Sequence, residues 1–351
     1  MKKRFSLLIA FLALALVFPG CQKNNGVYDI TTINMDKYMT LGEYKGITVD
    51  YVPKEVTDEA VEEKVRTLLI ANSEKIAIKE GNAKKGDLVN VNYVGYKDDV
   101  PFDGGTANSQ NIRIGAGNYI PGFEDAIIGL TPGETAEAPM TFPADYSNAE
   151  LAGQDVVFAI TLNFIYPELT DETVAQMESG LYKTKDQFLD YARVAVEQEI
   201  KDSSQSAITS LAFEKILENS TFKEIPEVVR ENQKADLEKK YAPAIEGGAG
   251  GLDSVIQYLY GCSADELIEV YSKQRMATQA IAKNEGITVT DEELNARLEE
   301  VGAMYGMDGE NYLKVNEITK EKFKELMISE KVQDFIYENT NTAKPGDGNA
   351  E

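Results

Sequence analysis

The sequence predicts an α+β protein in which an antiparallel β-sheet, wrapped around one short helix, precedes an elongated all-α region. Three observations support this fold class. Apolar and polar residues alternate within residues 84–168, where turn residues are frequent. Within residues 169–340 the apolar spacing becomes helical and capping signals recur. The composition, 43% apolar and 27% charged over 351 residues, is typical of a globular chain with two or three domains.

Residues 1–20 have the pattern of a signal peptide. "MKKR" provides a positive start, and the apolar run "FSLLIAFLALALVF" is shorter than the roughly 20 residues that a spanning helix needs. A small residue directly before Cys21 resembles the lipobox of bacterial lipoproteins, although Phe18 stands where that box usually has Leu or Val. We expect lipidation of Cys21, and the alternative is plain secretion with cleavage near Gly20.

A tether and an arm are expected next. Residues 21–41 begin with the polar stretch "QKNNG", which suits a lipidated N-terminal tether. Residues 42–83 form the arm, in which Thr57 followed by Asp58 is an N-cap signal for a helix that ends near Asn72. The apolar positions of this helix are Val61, Val65, Leu68 and Leu69.

Residues 84–168 are expected to form the sheet domain. In "DLVNVNYVG" the apolar residues point to one face and Asn90 and Asn92 to the other, and "VVFAITLNF" alternates in the same way. A single short helix is predicted from Gly122 to Gly129. The inward side chains expected on the two strands are Val89, Val91, Tyr93, Phe158, Ile160, Leu162 and Phe164.

Residues 169–340 are expected to form a helical domain, and residues 341–351 a disordered tail. The longest predicted helix begins at Thr184 and extends for about 50 Å to about Asn219. The stretch "EVGAMYGMDGENYL" is expected to expose apolar side chains. Capping-box spacings occur at Thr184 with Gln187, Ser263 with Glu266, and Thr290 with Glu293.

The composition also excludes several kinds of chemistry. The chain has no histidine, which excludes Ser-His-Asp and Cys-His nucleophiles, HExxH zinc sites and imidazole acid–base catalysis. Cys21 and Cys262 are too few for a disulfide framework or a thiolate metal site. We therefore expect no cofactor and no metal. The net charge of −24 disfavours nucleic acid as a partner.

Three stretches carry a resemblance to a known family. They are similar, in order and spacing, to the FKBP-type peptidyl-prolyl isomerase domain, and specifically to its version in trigger factor, a bacterial folding chaperone. "EYKGITVDYVPKEVTDEAVEEKVRTLL" looks like the arm that leads into that domain, and the helices after "YPELTDETVAQ" resemble its substrate-cradling C-terminal domain. The three stretches are "GDLVNVNYVGYKDDVPFDGG", "IGAGNYIPGFEDAIIGLTPGE" and "TFPADYSNAELAGQDVVFAITL".

The resemblance implies a proline pocket with Phe123 as its floor. It places the Ile120 N–H where it holds a substrate carbonyl, and Asp103 where it polarises a twisted carbonyl, although Asp103 before two glycines also fits a turn. Taken singly, Tyr93 and Phe158 fit a barrel core better than a ligand contact, and only the combined spacing of the set favours a pocket. The implied catalytic residues are Tyr93, Phe102, Asp103, Ile120, Phe123, Tyr146 and Phe158, and the implied substrate-binding residues are Tyr119 and Gln110.

The resemblance also implies partners. A peptidyl-prolyl cis-trans isomerase with chaperone activity would act on unfolded or newly exported polypeptides that contain X-Pro bonds. The lipobox implies a further partner, the membrane, which the protein would reach through the lipid at Cys21. It also implies an extracytoplasmic location. We expect no ribosome binding, because roughly 20 residues separate Cys21 from the arm where trigger factor has a ribosome-docking domain. The alternative function is a holdase whose FKBP-like domain binds without turnover.

Overall fold

The computed structural model describes residue 30, residues 33–177 and residues 181–343. The predicted signal peptide, the lipidation at Cys21 and the tail from residue 344 onward lie outside the described residues. The chain divides into two compact units. We call residues 55–200 the sheet unit, and the described residues before 55 and after 200 the helical unit.

The strands of the described chain are β1 (Met39–Thr40), β2 (Ile47–Asp50), β3 (Leu88–Lys97), β4 (Val100–Arg113), β5 (Thr135–Thr141), β6 (Asp155–Ile165), β7 (Thr221–Phe222) and β8 (Thr340–Ala343). Its α-helices are α1 (Asp58–Ala71), α2 (Ser73–Ile76), α3 (Asp171–Gln176), α4 (Lys185–Asn219), α5 (Glu227–Ala244), α6 (Leu252–Tyr260), α7 (Ala264–Glu285), α8 (Asp291–Met304), α9 (Gly309–Val315) and α10 (Lys320–Glu338). Short 3-10 turns lie at Met35–Lys37 and Asp125–Ile127, and a π-helical turn lies at Ile245–Ala249.

The sheet unit contains a four-stranded antiparallel sheet in the order β4-β3-β6-β5. The α+β fold predicted from the sequence is therefore confirmed. One difference concerns the short helix, which is a 3-10 turn at Asp125–Ile127 rather than an α-helix from Gly122 to Gly129. Both glycines have left-handed backbone, with φ of 92° and 90°, which a right-handed helix does not accommodate.

The predicted alternation of inward and outward side chains on β6 does not extend to Phe164. The register of β6 against β3 shifts between Asn90 and Val91, so that Asn163 is an extra residue. Beyond this bulge, alternate side chains of β6 point to the opposite faces of the sheet from those that the sequence pattern predicts. Ile165 is buried with the inner apolar cluster, whereas Phe164 packs with the cluster beneath α1 and α3. The prediction that Phe164 shares a face with Leu162 is therefore wrong.

The remaining helices of the sheet unit follow local signals in the sequence. As predicted, α1 begins directly after Thr57, whose hydroxyl accepts a hydrogen bond from the Ala60 N–H at 3.1 Å. α4 begins one residue after Thr184, whose hydroxyl accepts from the Gln187 N–H. The Gln187 side chain accepts from the Lys183 N–H, so this capping box is incomplete.

The helical unit joins two distant parts of the sequence. β2 pairs in parallel with β8, and β1 pairs with β7. These pairings bring residues 35–50, which the sequence assigns to a tether and an arm, against the main core of the unit. The domain limits themselves stay predictions. Complete capping boxes open α7 at Ser263 and α8 at Thr290, as predicted.

A buried ion-pair network connects α5, α7 and α10. The Nε and Nη2 atoms of Arg275 donate to the two carboxylate oxygens of Glu325, and the side chains are 9% and 11% exposed. Asp236 accepts from Arg275 at 3.3 Å and from Lys322 at 2.6 Å. Each charge in this part of the core is therefore paired, as burial requires.

We expect Glu325→Ala to lower the free energy of unfolding by about 3–5 kcal/mol, because Arg275 would remain charged and buried without its main partner. Urea unfolding of the full chain, followed by circular dichroism, measures this change. Glu63→Ala is the matched control, since it removes an exposed pair with Arg66 on α1. Equal losses in the two variants would contradict the importance of the buried network.

Candidate functional site

Phe123 lies at the centre of an aromatic cluster in the sheet unit. It follows the Pro121-Gly122 turn, and its side chain is 1% exposed. The rings of Tyr93, from β3, and Phe158, from β6, meet it edge-on, each with its centroid 5.1 Å from that of Phe123. Tyr119 stacks on its face with a centroid distance of 4.6 Å and an interplanar angle of 14°. Three separate segments thus converge on one ring.

Phe102 extends this cluster from β4, and two glycines make room for it. Its ring centroid lies 5.7 Å from that of Phe158. A methyl carbon at Gly95 would lie 2.5 Å from the Phe102 ring and 2.7 Å from the Phe158 ring, and one at Gly105 would lie 2.6 Å from the Phe102 ring. All three distances are too short for any side chain, so the position of Phe102 requires both glycines. The sequence does not mark Gly95 in "YVGY" or Gly105 in "DGG" as positions that make room for a ring.

Tyr146 reaches the cluster through Phe142, which is not among the site residues predicted from the sequence. Phe142 is buried, and its ring centroid lies 5.9 Å from Phe102 and 4.6 Å from Tyr146. Tyr146 itself is 38% exposed. Burial and the neighbouring Tyr146 raise the pKa of Tyr93 above its ordinary value. The Tyr93 hydroxyl therefore stays protonated at neutral pH and can donate a hydrogen bond.

The other predicted site residues lie at the edge of the cluster. Ile120 is half-buried and packs against it. Gln110 is exposed on β4, and its side chain lies beside the Tyr119 hydroxyl. Asp103 is exposed directly after Phe102, in β4. Within residues 33–177 and 181–343 no group of three or more His, Cys, Asp or Glu is placed to bind one metal ion.

Glu124 fixes the loop that leads into the site. Its buried carboxylate accepts hydrogen bonds from the N–H groups of Gly115 at 2.7 Å, Gly117 at 3.0 Å and Asn118 at 2.9 Å. Burial alone raises the pKa of Glu124, but these N–H groups outweigh it and the pKa lies below its usual value. Glu124 thus holds the backbone before Tyr119.

We expect Glu124→Gln to lower the free energy of unfolding by about 2 kcal/mol at pH 7, because an amide replaces a charged acceptor of three N–H groups. This loss should be complete above pH 4.5, the ordinary pKa of Glu124, and should shrink as the pH falls through its lower folded pKa. Urea unfolding at several pH values measures it. Asp125→Asn, at an exposed neighbour, is the control, and a loss independent of pH would contradict the proposed charge dependence.

Comparisons with known proteins agree with this architecture. Residues 79–163 match the family model described as FKBP-type peptidyl-prolyl cis-trans isomerase. Residues 184–338 match the one described as bacterial trigger factor protein C-terminus. Among curated proteins, the chain is 30% identical over 331 residues to trigger factor of Anoxybacillus flavithermus, covering 91% of this chain and 76% of that protein. Trigger factor of Clostridioides difficile is 29% identical over 332 residues, covering 92% of this chain and 77% of that protein.

These relatives correct one prediction from the sequence. The expected location as an extracytoplasmic lipoprotein is wrong, because the proteins matched over most of the chain are trigger factors and not membrane lipoproteins. The expectation of exported clients depended on that location and falls with it. None of the helices in the described part of the chain is long and apolar enough to cross a membrane. The expected lack of ribosome binding stays a prediction.

The family assignment rests on both halves of the chain. The isomerase family model covers most of the sheet unit, including Phe123, and the trigger factor model covers most of the helical unit. Each of the two trigger factors aligns with more than nine tenths of the chain, a share too large to leave out either half. The chain therefore belongs to the trigger factor family, with an FKBP-type domain for peptidyl-prolyl isomerase activity and a chaperone function toward unfolded polypeptides.

Proposed function

We propose that the aromatic cluster around Phe123 is the site at which X-Pro bonds rotate. One observation carries this proposal: Tyr93, Phe102, Phe123 and Phe158 come from four separate segments and form one continuous set of ring contacts. Two members of the set, Tyr93 and Phe102, are half-buried, so the cluster reaches the surface.

The chemistry of the reaction suits this site. Rotation about an X-Pro bond must break amide resonance, with a barrier of about 18–20 kcal/mol, and no covalent bond is made or cleaved. The twisted imide has lost its charge-separated resonance form and is better accommodated by an apolar surround than the planar forms are. Each ~1.4 kcal/mol of such preference accelerates rotation about tenfold. A chain without histidine can therefore catalyse the reaction.

Each residue has a distinct role in this mechanism. The face of Phe123 receives the proline ring, and Phe102 and Phe158 exclude water from it. The backbone N–H of Ile120 binds a substrate carbonyl. The hydroxyls of Tyr93 and Tyr146 donate hydrogen bonds at the rim.

Asp103 lies beside Phe102 at the surface, where its carboxylate meets the carbonyl of the twisted imide. Gln110 contacts the substrate from β4, next to Tyr119. These two residues are exposed, so they contribute orientation rather than the apolar surround.

We expect Phe123→Leu to lower kcat/KM for a short X-Pro peptide by about 10- to 100-fold, because leucine keeps an apolar side chain but offers no flat face. A protease-coupled or NMR exchange assay on the full chain measures the rate, and circular dichroism verifies folding. Phe213→Leu, at an equally buried position in the helical unit, is the matched control.

If Phe123→Leu retains the wild-type rate, the cluster is not the catalytic site. If the wild-type chain itself has no isomerase activity, the FKBP-type domain binds without turnover and the holdase alternative holds.

A second activity, client holding, is favoured by an exposed apolar surface on the helical unit. Met304 is 68% exposed, Tyr305 46% and Val315 62%, at the end of α8, just beyond it and at the end of α9. Met304 and Tyr305 belong to "EVGAMYGMDGENYL", which the sequence expects to expose apolar side chains, and Val315 follows that stretch. Methionine and tyrosine adapt to many apolar partners, so we propose that unfolded polypeptides bind here.

We expect the triple variant Met304→Ser, Tyr305→Ser, Val315→Ser to suppress aggregation of a proline-free unfolded client several-fold less than wild type. Light scattering measures aggregation, and the isomerase rate on a short peptide should not change. The control replaces the exposed Val100 and Val157 of the sheet unit by serine. An equal loss of aggregation suppression in the control would indicate that any serine in place of an exposed apolar residue has this effect. It would contradict a specific client surface.

A further inference from the structure

We infer that Tyr119 covers the face of Phe123 in the free protein and must swing away before a proline ring can bind. This inference rests on the proposed role of Phe123 as the floor of the site. It assigns to Tyr119 a gating role that differs from the simple substrate contact expected from the sequence. The enzyme would then exist in a closed form and in an open form that binds substrate.

The geometry of the two rings supports a cover. Tyr93 and Phe158 approach Phe123 at interplanar angles of 85° and 78°, so they contact its ring at their edges. Tyr119 is nearly parallel to it, at 14° and 4.6 Å. Proline recognition commonly uses the flat face of an aromatic ring, and here a parallel ring of this chain occupies that face. Phe123 is 1% exposed while Tyr119 is half-buried, so Tyr119 lies on the solvent side.

Two further contacts decide which part of Tyr119 can move. The exposed Gln110 side chain on β4 lies beside its hydroxyl. Its backbone follows the loop that Glu124 holds through Gly115, Gly117 and Asn118. The loop therefore stays in place, and opening is a rotation of the Tyr119 side chain alone. The Ile120 N–H consequently keeps its position in both forms.

The cover makes a quantitative difference to binding. A ligand that needs the open form binds with its intrinsic affinity multiplied by the open fraction. One aromatic stack biases such an equilibrium by roughly threefold to tenfold. Removing the ring should increase the open fraction by that factor, so the variant should bind substrate more tightly than wild type.

We expect Tyr119→Ala to raise kcat/KM for a short X-Pro peptide about threefold to tenfold, mainly through a lower KM. Tyr119→Phe keeps the stack but loses the Gln110 contact, and should give a smaller rise. Tyr258→Ala is the matched control, because that ring is 88% exposed in the helical unit. Circular dichroism verifies that each variant is folded.

An NMR measurement tests the cover without relying on activity. In the free full chain the Tyr119 ring protons should be shifted by the ring current of Phe123, with Tyr119→Phe providing the assignment. Saturating X-Pro tetrapeptide should move them toward the values of an exposed tyrosine.

The outcomes separate this inference from the proposal on which it rests. A lower or unchanged kcat/KM in Tyr119→Ala, with a loss in Phe123→Leu, would show that Tyr119 is a wall of the pocket and overturn the cover. Tyr119 ring shifts that do not change on adding peptide would also overturn it. If instead Phe123→Leu has no effect on the rate, the proposed site fails, whatever Tyr119→Ala does.

Discussion

The pairing of β3 with both β4 and β6 is the constraint on which the sheet unit depends. β3 is the central strand that brings Tyr93, Gly95 and the inner valines between partners that lie far apart in the sequence. Because Phe102 belongs to β4 and Phe158 to β6, their rings meet only when both ladders are in register. A shift of one residue in either ladder would turn one ring to the opposite face. The register of this strand therefore determines the apolar site.

Features encoded by adjacent residues could be predicted from the sequence. The N-cap at Thr57 and the capping boxes at Ser263 and Thr290 depend on residues within four positions, and the structure contains each of them. The same holds for Met304 and Tyr305, which are exposed where α8 ends. On β3 the predicted inward residues do pack in the inner cluster, but Asn90 on the opposite face is buried as well. In these cases backbone geometry alone relates spacing to structure.

Features that depend on distant contacts could not be predicted in this way. The need for glycine at Gly95 arises from the Phe102 ring on another strand, and the burial of Arg275 arises from Glu325, 50 residues away. Glu124 has the position of an ordinary first-turn carboxylate, yet it bonds to a loop that precedes it. The bulge at Asn163 reverses Phe164 without any proline or glycine to mark it. The resemblance to a known family supplied the members of the site, but not the stacking of Tyr119 on Phe123.

The parallel pairing of β2 with β8 has a consequence for the order of folding. Asn341 donates a hydrogen bond to the Gly46 carbonyl across 295 residues, and the sequence of the sheet unit lies wholly between these strands. During synthesis the sheet unit is complete long before β8 emerges, whereas β2 must wait for a partner at the far end of the chain. Closing so long a loop is slow and entropically costly. Until it closes, the apolar side chains of Ile47 and Val49 have no core to enter, so a nascent molecule of this chaperone exposes the kind of surface that chaperones bind.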